Sequence, residues 1–125
     1  MKSGISVSLA ALLLIGCGAG QYADRINVSK LPEDEQRAAL AIKVFDQSTG
    51  SPQYSEIVDE VQAISCQNKV WDPPATKADA LRQLRVKALR LGANAIIGVT
   101  YTESGTSYKP NCWESVTVSG TAVRL

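Results

Sequence analysis

Histidine is missing from all 125 residues. Its absence removes the commonest general base and the commonest metal ligand together. Charge of one sign is also lacking: 13 basic residues stand against 12 acidic ones, a formal +1, so no whole-chain field points to nucleic acid. No apolar run reaches the roughly 20 residues of a spanning helix. Gly92, Gly98 and Gly120 are scattered and form no phosphate-cradling loop. Ser115 and Ser119 sit in a strand-like run without the glycines of a nucleophile elbow. No nucleophile has a base within reach by pattern, and no two carboxylates stand out as a pair. The sequence predicts a protein that is not an enzyme. What remains is ordinary for a single small globular domain: 45% apolar and 20% charged residues.

Three cysteines are an odd number and need accounting for. The N-terminus accounts for one. Lys2 is followed by an almost wholly apolar run from Ile5 to Ile15, the length of a signal-peptide core. Directly after it stands Leu14-Ile15-Gly16-Cys17. This resembles the bacterial lipobox, in which a small residue precedes a cysteine whose thiol accepts a diacylglyceryl group. The resemblance implies a signal peptide over 1–16 and lipid attachment at Cys17. The residue after it is Gly18 rather than Asp, which implies passage to the outer membrane, with the domain facing the periplasm. Two or three acyl chains give stable anchoring where one is marginal.

Cys66 and Cys112 remain, an even set in an exported chain, and a disulfide is the expected state. The loop it closes is about 47 residues long and gives roughly 4 kcal/mol in the chain-entropy model. Two thiolate ligands of a metal site are the rival reading, although a closed zinc site without histidine needs carboxylates or a second subunit. Free thiols are the third.

Residues 17–40 read as the lipidated N-terminus and a short tether, with a helix over 32–40 started by Pro32 and the acids Glu33, Asp34 and Glu35. If flexible, such a tether reaches roughly 25 Å. The domain is expected over 41–125. Ile42 to Phe45 alternates and is followed by a turn cluster, Gln47 to Pro52. A second extended segment runs from Tyr54 to Ser65, with a bulge-like slip in its pattern. Two prolines, Pro73 and Pro74, hold residues 67–75 in a loop. Residues 76–91 carry the clearest helix signals. Thr76 is an N-cap with Asp79 three places on, Leu81, Leu84, Ala88 and Leu91 form one apolar face, and Gly92 is the stop. Ala95 to Thr100 reads as a buried strand, Thr102 to Asn111 as a polar loop, and Glu114 to Arg124 as a last strand with Gly120 at a bulge or close approach. The order β-β-α-β-β predicts an α+β fold: a small four-stranded antiparallel or mixed sheet packed by one main helix.

The segments Val61 to Gln67, Asp72-Pro73-Pro74, the basic helix, Ala93 to Ile97 and Pro110 to Trp113 together resemble the RcsF family of outer-membrane stress-sensor lipoproteins of the Rcs phosphorelay. Leu91 to Val99 with Val118 to Val123 also resembles the YbjQ-like domains, which share the basic fold and are sometimes labelled heavy-metal-binding. The RcsF resemblance implies a bridge between Cys66 and Cys112. The positions of that family's second bridge are Tyr101 and Val118 here, so one bridge is implied. It also implies a sensor or interaction module in envelope-stress signalling. Its partners would be an outer-membrane barrel or assembly protein and an inner-membrane regulator, besides the membrane itself and no nucleic acid. No cofactor is expected beyond the lipid on Cys17. The YbjQ-like alternative is a self-assembling, metal-associated module, and a passive structural lipoprotein is a third reading.

Two groups are candidates for partner binding. Arg82, Arg85, Lys87 and Arg90, with Lys77, make the helix basic against Asp79 alone. They form either a docking face for an acidic partner or an ordinary solvated face. Trp71 and Trp113 lie in loops that a Cys66–Cys112 bridge brings together. They are expected to cover the disulfide and close the small core, or else to anchor an interface.

Overall fold

A computed structural model describes residues 25–105 and 112–125. Residues 1–16 and the lipobox cysteine Cys17 lie outside the described residues. The elements are α1 (Glu33–Leu40), β1 (Lys43–Asp46), β2 (Glu56–Gln67), α2 (Lys77–Arg90), β3 (Ala95–Ser104) and β4 (Glu114–Arg124), with a short 3-10 turn at Val28–Lys30. The strands form one mixed sheet in the order β1-β3-β4-β2. β1 runs parallel to β3, and β4 pairs antiparallel with both β3 and β2. The α+β architecture, with one disulfide, is the one the sequence predicts, with α1 as a second helix.

Each end of α2 is fixed by local chemistry. The Asp79 N–H donates to Thr76 Oγ1 at 3.1 Å, a side-chain N-cap. At the other end Gly92 takes φ +81°, which costs a residue without a Cβ nothing. The Gly92 N–H then donates to Leu89 O and the Ala93 N–H to Ala88 O, the paired bonds of a Schellman stop. Ala80, Leu84 and Ala88 are fully buried against the sheet with Val61, Ala63, Ile96, Val118 and Ala122. Leu91 departs from the expected stripe: it caps the helix and is exposed.

Along β4, Val116, Val118, Gly120 and Ala122 face the helix layer, and the alternate Thr117, Ser119 and Thr121 lie half-buried on the opposite face. Gly120 is a close approach. A Cβ there would sit 2.7 Å from Ile96 Cγ2 and 3.2 Å from both Ile97 O and Val99 Cγ2. The bulge lies across from it in β3, where the register shifts between Ile97 and Thr100 and Gly98 takes φ +62°. Gly120→Ala is therefore expected to cost about 1–3 kcal/mol through overpacking. A urea midpoint equal to that of the unsubstituted protein would contradict the packing described.

The largest boundary differences from the sequence expectation lie in β2 and β3. β2 starts at Glu56 and ends at Gln67, two residues later than read, with the slip located between Ile57 and Asp59. β3 continues to Ser104, because Thr102 and Ser104 keep pairing with Thr117 and Ser115. At the end of β1, Asp46 Oδ1 accepts from the Ser48 and Thr49 N–H groups and from both hydroxyls. These bonds, the Ser48 hydroxyl foremost, hold the Asp46 carboxyl below its ordinary value of 3.8.

Residues 25–40, read from sequence as part of a tether, pack on the domain. Ala39 is buried, and Glu35 pairs with Arg90 at 2.9 Å. Val86, off the sheet-facing stripe, is fully buried on the side of α2 where Arg82, Arg85 and Arg90 meet α1.

Candidate functional site

The described end of the domain where β2 finishes and β4 begins gathers both domain cysteines and both tryptophans that the sequence singles out. Cys66 and Cys112 are bonded there, with Cα atoms 5.5 Å apart and a sequence separation of 46. Cys112 is 1% exposed. The ladder continues past the bridge through Cys66–Ser115 and Gln67–Glu114, and the Trp113 N–H donates to Gln67 O.

The Gln67 side chain organises the next turn. Its Nε2 donates to Asp72 O at 2.9 Å and to Val70 O at 3.2 Å. Asp72 closes the turn from the other side, accepting from the Lys69 N–H at Oδ2 and donating its own N–H to Lys69 O. The proline loop is clamped to the sheet as well. Ala75 N–H donates to Glu114 Oε1, and Thr76 N–H to the buried Ser65 Oγ.

On this rigid turn Val70 and Trp71 point outward, 67% and 76% exposed, and Trp113 beside the bridge is 54% exposed. Neither ring therefore belongs to the buried core. The buried core is built instead from alanine and valine side chains with Ile42, Leu84 and Ile96. Lys69 Nζ sits 5.5 Å from the centre of the Trp71 ring.

The basic residues of α2 do not form one open face. Arg90 is paired with Glu35 of α1, Lys87 Nζ donates to Gln62 O at the β2 edge, and Lys77 lies 3.7 Å from Glu103 and over the Tyr101 ring. Arg82 remains exposed. Arg85 lines a 260 Å³ cleft between α1 and α2, and its Nε is buried without a hydrogen-bond partner among the described residues.

Gln83 was not singled out by sequence. It is 3% exposed and joins three parts of the molecule. Its Nε2 donates to Ile64 O of β2 and to Asp79 Oδ2, and its Oε1 accepts from the Ile26 N–H. One step earlier, Arg25 Nη1 donates to Asn68 Oδ1. The chain thus joins the domain beside the Asn68–Asp72 turn, next to the disulfide.

Residues 73–125 match the family model YbjQ_1, described as "Putative heavy-metal-binding". The YbjQ_1 match spans α2, β3 and β4 and includes Cys112 but not Cys66. No curated protein matches the chain. A crystal structure of a protein of unknown function of the DUF74 family, from Pediococcus pentosaceus ATCC 25745, is similar at 19% identity and a TM-score of 0.49, covering 67% of this chain and 97% of that one. The family-model match agrees with the YbjQ-like part of the sequence resemblance, while the RcsF part rests on the residues quoted for it. The described residues do not fit a soft-metal site. They contain no cluster of three or more His, Cys, Asp or Glu side chains, and Cys66 and Cys112 are joined to each other. Among them, too, no helix is long and apolar enough to cross a membrane.

Proposed function

We propose that this chain is a lipid-anchored protein of the bacterial envelope, cut before Cys17 and acylated there, whose disulfide-stapled domain is a non-enzymatic interaction module. The observation that carries the reading is the Cys66–Cys112 pair. It accounts for two of the three cysteines and leaves Cys17, at the end of the apolar run, for the lipid. A bridge of this kind belongs in an oxidising compartment. The outer membrane is the destination favoured by Gly18, with the domain on the periplasmic side. Envelope-stress sensing, through a barrel or assembly protein and an inner-membrane regulator, is the role the RcsF resemblance favours. In that role, deletion or overproduction alters an envelope-stress reporter. A passive structural lipoprotein leaves the reporter silent in both directions.

The test of anchoring is metabolic labelling with palmitate, followed by membrane fractionation. The unsubstituted chain is expected to take up label and sediment with outer membranes, and Cys17→Ala to take up none. Equal labelling of the two, or none in either, contradicts the reading.

The match over 73–125 favours a second reading, a YbjQ-like metal-associated module that assembles with itself. It requires an oligomer with bound metal. A monomeric chain that holds no metal after purification removes it.

A further inference from the structure

We propose that the end of the domain carrying Val70, Trp71 and Trp113 lies in the headgroup layer of the membrane that holds the anchor. The proposal rests on the lipid-anchored reading above and adds an orientation to it.

The first support is where the chain leaves the described structure. Arg25 is bonded to Asn68, the residue before Lys69, and Ile26 is held by the buried Gln83. Cys17 is eight residues upstream of Arg25. Eight residues span at most about 28 Å when fully extended, and roughly 16 Å as a flexible coil. The acylated cysteine is therefore held within about 28 Å of this end of the domain.

The second support is the character of the surface at that end. Val70, Trp71 and Trp113 are among the exposed large hydrophobic residues, at 67%, 76% and 54%. Tryptophan, with a large apolar body and one N–H, prefers the boundary between headgroups and acyl chains. Lys69 stands over the Trp71 ring, where its ammonium can meet lipid phosphates while the ring sits deeper. The turn that carries them also suits this setting. Gln67 takes up the Val70 and Asp72 carbonyls, and Asp72 takes up the Lys69 N–H, so these polar groups of the turn keep protein partners near lipid.

Trp71 and Trp113 are the only tryptophans in the chain, so intrinsic fluorescence reads this surface directly. The test reconstitutes the acylated full chain into vesicles of phosphatidylethanolamine and phosphatidylglycerol, with plain or brominated acyl chains. The proposal expects loss of most tryptophan emission in the brominated vesicles, and weak quenching by iodide added to the buffer. Trp71→Tyr and Trp113→Tyr chains, each left with one reporter, are both expected to stay quenched by bromine. Equal emission in plain and brominated vesicles, with full access to iodide, overturns the proposal. Intact mass on the same sample separates the two failures. An acylated chain without quenching overturns the orientation and leaves the anchor standing, whereas an unacylated chain overturns both.

Discussion

Reducing the Cys66–Cys112 bridge, or replacing it by Cys66→Ser with Cys112→Ser, is expected to lower stability by roughly 4 kcal/mol. The figure follows from the sequence separation of 46 residues, since cross-linking that loop removes its closure entropy from the unfolded ensemble. Small domains have only about 5–15 kcal/mol in total. For a domain near 100 residues each kcal/mol moves the midpoint by about 4–8 °C, so the loss amounts to about 16–32 °C. The bridge also ties the end of β2 to the start of β4 at the base of the tryptophan-bearing turn. Thermal unfolding with and without reductant checks the expectation. Equal midpoints would mean that the bridge constrains nothing. In cells, the same expectation is a low steady-state level wherever disulfide formation is blocked.

Gln83→Leu is expected to cost about 2–4 kcal/mol and to release the N-terminal segment. The substitution keeps the volume but strands the Ile64 carbonyl, the Ile26 N–H and one Asp79 oxygen. Each buried polar group left without a partner costs about 1–3 kcal/mol. Arg82→Ala, one residue away and exposed, is the control and is expected to stay within about 0.5 kcal/mol of the parent. Urea midpoints give the energies. Limited proteolysis gives the structural consequence, a new cut between Arg25 and Lys30 in Gln83→Leu alone. Parent-like resistance in that variant would show that the segment is held by something else.

How far the sequence could be read depended on whether the relevant physics was local. α2 was legible, Leu91 apart, because its cap, its stripe and its stop each lie within one turn of the residues that form them. β4 and the slip in β2 were legible from alternation. The end of β3 was not. On the sheet face away from α2, paired residues such as Thr102 and Ser104 are polar, and polar pairing looks like a loop when the partner strand is unseen. Docking of residues 25–40 was hidden for a related reason. Gln83 reads as a solvated helix residue until Ile26 and Ile64 are placed beside it. The basic stretch on α2 reads as one face until Glu35 and Gln62 claim Arg90 and Lys87. For the tryptophans, position beside the cysteines suggested rings that close the small core, yet both are largely exposed and outside the buried cluster.

The anchor and the bridge can be tested together by intact mass of the chain extracted from membranes without reductant. The expected product begins at Cys17, carries the mass of two or three acyl chains, and is two hydrogens lighter than the fully reduced domain. A product that retains residues 1–16, or that carries no acyl mass and regains no hydrogens on reduction, would contradict the assignment of all three cysteines.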